Sequence, residues 1–209
     1  MNAATRKPLG CYLGQIPLTL WLVLAAVVLF FWPSANHLVE YDRRLVCTGE
    51  AWRIATCHLT HWNLDHLLWD ALALGVLGVM CERRSRSRWL VCLIASAVAI
   101  PLAVLVLQPE MATYRGLSGL DTGLFTLLAV GMLREKWRER DWTWLTIICL
   151  FIAGFAGKIV FELATGGTVF VDSTAANFTP APLAHLVGLF VGSLVGMTET
   201  PAEDTAIQT

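Results

Sequence analysis

The chain of 209 residues is 56% hydrophobic and only 15% charged, and its mean hydropathy is +0.61. A soluble domain of this length carries roughly a quarter charged residues, so the composition excludes an ordinary soluble protein. The formal net charge of −1 says little about partners, and no nucleic-acid partner is expected. Because the charges lie between long apolar runs, we expect the lipid bilayer to surround the chain.

Six apolar stretches follow one another along the chain. A bilayer core about 30 Å thick needs roughly 20 apolar residues per helix, and each stretch meets or approaches that length. No small-residue cleavage site follows the first stretch, so we interpret it as a retained span rather than a signal peptide. The sequence therefore predicts an all-α membrane protein, a six-transmembrane-helix bundle over residues 16–197, with cytoplasmic segments at 1–15 and 198–209. The stretches are residues 16–32, 64–80, 89–107, 117–133, 142–163 and 183–197, and the last is expected to begin near Phe178.

Basic residues are concentrated on one side of this arrangement. They precede the first span and occupy the loops between spans two and three and between spans four and five, whereas the opposite loops carry fewer. By the positive-inside rule the basic side is cytoplasmic, which predicts that both termini lie in the cytoplasm. These residues are Arg6, Lys7, Arg83, Arg84, Arg86, Arg88, Arg134, Lys136, Arg138 and Arg140.

The first unusual polar position is Ser118, which stands between small residues where span four begins. A nucleophile at such a junction lies near backbone N–H groups that have no intrahelical acceptor and can hold a developing oxyanion. The flanking Gly116 and Gly119 would let a substrate backbone approach closely. The alternative is a packing patch, since Gly119 and Gly123 form a small-xxx-small pair, and these residues alone favour packing.

His185 is the second unusual position, an imidazole inside the otherwise apolar span six. Gly188, Gly192 and Gly196 recur every fourth residue, so they share a helix face and permit a very close neighbouring helix. His185 lies near that face, where it could act as the base for Ser118. A lone histidine in such a segment is more often a hydrogen-bonded core residue, and that alternative stays open.

A polar run leads into span two. His66 and Asp70 lie one helical turn apart and face the same way, so a side-chain donor from this face could complete an oxyanion site. The alternative is a polar helix entrance that only satisfies the interface. One turn after Ser118, Asp121 is a further carboxyl at depth, and the sequence assigns it no role.

Taken together, these segments resemble the rhomboid family of intramembrane serine proteases. Each motif is weak alone, but the four occur in the family's order over residues 49–196. Residues 49–56 resemble G-x-x-W-R-x-x-T, and His61, His66 and Asp70 fall where the family shows H-x4-H-x3-N. Residues 116–119 match G-x-S-G, and Ala184, His185 and Gly188 match A-H-x-x-G.

The resemblance implies a catalytic dyad in which His185 takes the hydroxyl proton of Ser118. It also implies an oxyanion site that is formed by the backbone N–H of Ser118 and the side chain of His66. Supporting roles follow for Gly116, Gly119 and Asp70, and structural roles for Arg53, His61 and Gly188.

Two positions depart from the family's pattern. Asp70 stands where the family usually has Asn, and an ionised carboxylate cannot donate to an oxyanion. Asp70 is therefore either held protonated by burial, or it orients His66 and takes no part in the oxyanion site. Thr122 stands where many rhomboids have a Tyr that packs on the catalytic His, so His185 must be braced in another way.

The compact chain and the segment 114–119 (YRGLSG) look most like the rhombosortase branch of the rhomboids. This resemblance implies a multi-pass protein of the bacterial inner membrane that cuts single-span membrane or exported proteins at C-terminal Gly-Gly sorting signals. It implies no cofactor and no metal. Substrate would enter laterally between spans two and five, where Trp69, Phe151 and Phe155 are the predicted gate.

The first external loop contains two cysteines, Cys47 and Cys57. Because this loop would lie on the oxidising side of a bacterial inner membrane, we expect a disulfide between them.

Two other functions remain open. A metal-dependent membrane hydrolase could use the polar run from Cys57 to His66, although its spacing fits no closed four-ligand pattern. A non-catalytic rhomboid-like pseudoprotease would need neither Ser118 nor His185, and the presence of both residues argues against it.

Overall fold

The computed structural model describes residues 16–169 and 181–198, and these are mostly helical. A 3-10 turn (Cys57–Leu59) follows α4, a π-helical turn (Leu74–Gly78) interrupts α5, and the short strands are β1 (Tyr41–Asp42) and β2 (Thr113–Tyr114). The helices are α1 (Leu18–Phe30), α2 (Pro33–Val39), α3 (Arg43–Cys47), α4 (Arg53–Thr56), α5 (Leu64–Arg84), α6 (Arg86–Leu107), α7 (Ser118–Glu139), α8 (Trp142–Thr165) and α9 (Pro182–Met197).

Each of the six predicted stretches contains a helix, but not every helix qualifies as a membrane span. By length and composition α5, α6 and α8 can cross a membrane, and α1 with α2 adds a fourth span only if this pair, bent by 116°, counts as one. The described residues therefore carry three or four of the six predicted spans, because α7 ends in a charged run and α9 has only 16 residues. The predicted cytoplasmic segment 1–15, all of the predicted tail 198–209 except Thr198, and the predicted start near Phe178 lie outside the described residues.

The two strands join the first loop to the segment that precedes α7. They pair antiparallel, with Tyr41 opposite Tyr114. Beside this sheet, Arg115 Nε donates to Glu40 Oε2 at 2.6 Å, although the two residues are 75 positions apart. A charge-assisted hydrogen bond between partly buried groups is stronger than a neutral one, so it reinforces the sheet. The first loop is thereby fixed next to the start of α7.

Arg53 holds the first loop together from the inside. Its side chain is buried, and Nη1 donates to the carbonyl oxygens of His37 and Glu40 at 2.9 and 2.8 Å. Its Nε donates to Glu50 Oε2 at 2.7 Å. A buried guanidinium needs such partners to offset its loss of hydration, and these contacts tie α2 and β1 to the beginning of α4.

The prediction of a disulfide between Cys47 and Cys57 is wrong, since both are free thiols. Cys47 is exposed at the end of α3, whereas Cys57 is fully buried and its Sγ donates to the Ile54 carbonyl at 3.5 Å. Burial raises the pKa of the Cys57 thiol, because a thiolate would lose its hydration there. The loop is held by the contacts of Arg53 instead of by a covalent bridge.

Glycines bring α7 and α9 into backbone contact. A β-carbon added at Gly188 would overlap the carbonyl oxygen of Gly119, and one added at Gly192 would overlap that of Gly123. Farther along, a β-carbon at Gly196 would lie 2.9 Å from Val130 Cβ. The predicted close approach of a neighbouring helix to the glycine stripe of α9 is confirmed, and that neighbour is α7.

Candidate active site

Ser118 and His185 line one cavity of about 850 Å³. Ser118 is the first residue of α7, and His185 lies in the first turn of α9, so the glycine contact of the two helices brings their N-terminal ends together. Ser118 is half-buried and His185 is buried. The polar residues that line this cavity include His66, Asp70, Asp121, Thr122, Lys158 and Glu162.

The loop before Ser118 is shaped by its neighbours in the protein. The expected role of Gly116 and Gly119, room for a substrate backbone, stays a prediction, and the protein itself approaches both glycines closely. Gly116 has φ +117°, which other residues rarely adopt, and a β-carbon there would lie 2.6 Å from His66 Nε2. At Gly119 a β-carbon would lie 3.1 Å from the Ala184 carbonyl oxygen. Both glycines are required because His66 and α9 approach the loop so closely.

One oxygen of Asp70 contacts polar groups of the first loop, of α5 and of the loop before α7. Asp70 Oδ2 accepts a hydrogen bond from the backbone N–H of Leu117 at 2.8 Å. The same oxygen lies 3.2 Å from His66 Nε2 and 3.4 Å from His61 Nε2. Because all three neighbours present nitrogen to this oxygen, the geometry favours a carboxylate that accepts hydrogen bonds and orients His66.

A residue that the sequence analysis missed contacts His185. Glu162 Oε2, on α8, lies 3.2 Å from His185 Nδ1, and the Glu162 side chain is only 3% exposed. Lys158, one turn earlier, places its Nζ 2.8 Å from Glu162 Oε1 and 2.9 Å from Oε2. The available signal was a pair of ionisable residues four positions apart in an apolar span, which is itself a reason to suspect a functional site.

The polar run from Cys57 to His66 does not converge on one point. His58 is buried between two backbone carbonyls, with Nε2 3.1 Å from Ala97 O and Nδ1 3.3 Å from Gly116 O. Burial lowers the pKa of His58, and the two carbonyl oxygens offset part of this effect. His58 and Cys57 are thus engaged away from His66, and no group of three or more metal-ligating side chains occurs within residues 16–169 and 181–198.

Two residues of α7 complete the polar lining of the cavity. Thr122 Oγ1 donates to the Ser118 carbonyl at 2.9 Å, so this hydroxyl is engaged on its own helix. Asp121 is buried, and its two carboxyl oxygens have no hydrogen-bond partner among the described residues. Where many rhomboids have a Tyr at the position of Thr122, the side chain that lies beside His185 here is Glu162 on α8.

The predicted gate is only partly at the cavity. Trp69 and Phe155 line it, and Phe155 packs against Phe125 with ring centroids 4.8 Å apart. Phe151 is 66% exposed and does not belong to the described lining. The aromatic side chains that α5, α7 and α8 contribute to the lining are therefore Trp69, Phe125 and Phe155.

Comparison with known proteins decides the class of this chain. A family profile described as Rhomboid domain matches residues 48–201, which is well over half of the chain. The chain belongs to the rhomboid family. It is also similar to the rhomboid protease AarA of Providencia stuartii, with 35% identity over 83 residues. That similarity covers 34% of this chain and 30% of the relative.

The rhomboid match contains the whole cavity described above. It begins at Thr48, after α3, and includes all lining residues from Trp62 to His185. Membership in the rhomboid family and the apolar helices α5, α6 and α8 together make the chain a multi-pass membrane protein. The helices α1 and α2 precede the matched part of the rhomboid domain.

Proposed function

We propose that this rhomboid is an intramembrane serine endopeptidase in which Ser118 is the nucleophile and His185 is the general base. The observation that carries the proposal is that both side chains line one cavity at the adjoining ends of α7 and α9. Membership in the rhomboid family and the similarity to the rhomboid protease AarA support a proteolytic activity.

The proposed reaction follows ordinary acyl transfer. Ser118 Oγ attacks the scissile carbonyl carbon while His185 takes the hydroxyl proton, which it then gives to the leaving amine. The developing oxyanion lies at the start of α7, where the backbone N–H of Ser118 has no intrahelical acceptor, and His66 donates from α5. Asp70 accepts hydrogen bonds from the loop and orients His66, and it does not itself contact the oxyanion. Water then releases the acyl group from Ser118.

The proposed setting is a six-helix bundle in the bacterial inner membrane, with the membrane domain over residues 16–197 and both termini in the cytoplasm. In this setting α7 and α9 cross the membrane inside the bundle, where short or less apolar helices are covered by their neighbours. The cavity would then open toward the external side, because it lies next to the first loop and the N-terminal end of α7.

The proposed substrates are single-span proteins with a C-terminal Gly-Gly sorting signal, as in the rhombosortase branch. A transmembrane helix hides its peptide bonds in backbone hydrogen bonds, so the scissile segment must unwind before Ser118 can reach it. Glycine costs about 1 kcal/mol per residue in helix propensity relative to alanine, so a Gly pair is an easy place to open.

Labelling with a fluorophosphonate tests the nucleophile directly. The purified protein should be labelled at Ser118, and Ser118→Ala and His185→Ala should abolish both labelling and proteolysis while insertion into the membrane is kept. Ser193→Ala is the matched control, since Ser193 lies on α9 away from the cavity. Cleavage by Ser118→Ala protein at a near-normal rate would sink the proposal.

A second experiment tests specificity without testing the mechanism. A single-span reporter with Gly-Gly, a hydrophobic helix and an Arg-rich tail is co-expressed with the enzyme, and Gly-Gly is then changed to Leu-Leu. We expect cleavage of the first reporter only. Equal cleavage of both reporters would refute the sorting-signal specificity and leave the protease assignment in place.

A further inference from the structure

Glu162 reaches the proposed general base from a third helix. Its Oε2 lies 3.2 Å from His185 Nδ1, and the two side chains are 3% and 11% exposed. The Nδ1–H direction is not aligned on this oxygen in the present conformation. Catalytic hydrogen bonds are often poorly aligned before substrate binds and tighten in the reacting complex, so the distance is the informative quantity here.

Lys158 fixes the position and the charge of this carboxylate. Its Nζ lies within 2.9 Å of both Glu162 oxygens. Lys158 and Glu162 are the two charged residues of α8, which is otherwise apolar enough to cross a membrane. Replacing such a buried pair by apolar side chains is often neutral or stabilising, so stability alone gives little reason for the pair to be present.

The helix ends add a second argument. Glu162 lies in the last turn of α8, where the negative end of the helix dipole disfavours an anion. His185 lies in the first turn of α9, where the positive end disfavours the imidazolium that forms when the histidine accepts a proton. The Glu162 carboxylate offsets the unfavourable effect of the α9 dipole on the imidazolium. The Lys158 ammonium offsets the unfavourable effect of the α8 dipole on the Glu162 carboxylate.

We propose that Glu162 is a positioning residue for His185, so that the site works as a Ser118–His185–Glu162 triad rather than a dyad. This inference rests on the proposed serine-protease function. Glu162 accepts the Nδ1–H of His185 and thereby keeps Nε2 unprotonated and available to the Ser118 hydroxyl. When Nε2 takes the hydroxyl proton and Oγ bonds to the substrate carbonyl carbon, the Glu162 carboxylate stabilises the imidazolium.

The test measures fluorophosphonate labelling as a function of probe concentration, which separates the maximal rate kinact from the probe affinity KI. Glu162→Gln should lower kinact about 100-fold and leave KI within twofold, because the change affects the base and not binding. Glu162→Asp keeps a carboxylate and should retain a clearly larger kinact. The double variant Lys158→Gln with Glu162→Gln removes both charges, so no lysine is left unpaired. Its kinact should be as low as that of the single variant Glu162→Gln.

One control variant and two contrasting outcomes separate this inference from the proposed function. Glu139→Gln, on the exposed end of α7, should label like the wild type. Wild-type kinact in folded Glu162→Gln protein would overturn the triad and leave Ser118 and His185 in place. Undiminished activity of Ser118→Ala would instead overturn the proposed function itself.

Discussion

Asp70 Oδ2 accepts a hydrogen bond of 2.8 Å from the backbone N–H of Leu117, which lies 47 positions farther along the chain. This hydrogen bond joins α5 to the residue that immediately precedes Ser118. The same oxygen contacts His61 and His66, so a single buried atom determines where the loop, the proposed oxyanion donor and the proposed nucleophile lie relative to one another.

The effect of substituting Asp70 should therefore depend on whether the new side chain still offers a hydrogen-bond acceptor to the Leu117 N–H. Asp70→Asn keeps a carbonyl oxygen for Leu117, so we expect a folded protein whose activity is equal to or above that of the wild type. Asp70→Leu leaves the buried Leu117 N–H unsatisfied, which costs about 1–3 kcal/mol of unfolding free energy, and activity should fall. Labelling rate and thermal unfolding of both variants check this, and equal inactivity of Asn and Leu would mean that the negative charge itself is needed.

Gly188→Ala should be strongly destabilising although the change adds a single methyl group. The new β-carbon would overlap the Gly119 carbonyl, and backbone cannot move aside as a side chain can. Overpacking of this kind costs about 1–3 kcal/mol, which corresponds to a fall of roughly 5 °C in Tm. Gly157→Ala, on α8 with open space around it, is the control and should unfold at or above the wild-type temperature. A Gly188→Ala protein as stable as this control would disprove the backbone contact.

Acid should weaken the fold through its buried histidines. Burial lowers the pKa of both His58 and His61, which means that the unfolded chain binds more protons than the folded one in mildly acidic solution. Their stabilising effect is complete above the unfolded pKa of about 6.5 and is lost as the pH falls below it, by up to about 1.4 kcal/mol per pH unit for each histidine. We expect Tm to decrease from pH 7.5 to pH 5.5.

The histidine origin of this pH dependence can be isolated by substitution. His58→Gln removes one titrating group and should flatten the decrease in Tm over the same range. His37→Gln changes an exposed histidine and should keep the wild-type slope. If Tm decreases by the same amount in His58→Gln and in the wild type between pH 7.5 and pH 5.5, a group other than His58 causes the decrease.

The cysteines of the first loop should differ sharply in reactivity. Cys47 is exposed and should be alkylated in the native protein without prior reduction, whereas Cys57 should react only after unfolding. Mass mapping of alkylated peptides from single-cysteine variants measures both rates. In the wild-type protein, a Cys47 peptide joined to a Cys57 peptide under non-reducing conditions would contradict the free thiols of this structure.

Local patterns predicted the helices and the glycine contact, because apolar runs and four-residue spacing are properties of single segments. The motif order also singled out Ser118 and His185, which line one cavity, and their catalytic roles stay a prediction. The contact between Glu162 and His185 could not be predicted in this way, since it depends on how α8 sits against α9. The close approach of His66 to Gly116 and of Ala184 to Gly119 could not be predicted for the same reason, because what a glycine faces is decided by tertiary packing.

The glycine contact between α7 and α9 also limits how the sequence of this chain can diversify. At Gly188 and Gly192 the backbone of α9 packs directly against the backbone of α7. No side chain lies at these points whose exchange could adjust the spacing of the two helices in small steps. The opposite wall of the cavity has no such constraint, since Trp69 and Phe155 are side chains that α5 and α8 can replace without moving the backbone. Libraries that aim to alter the specificity of the proposed protease should therefore vary α5 and α8 and leave the α7–α9 contact unchanged.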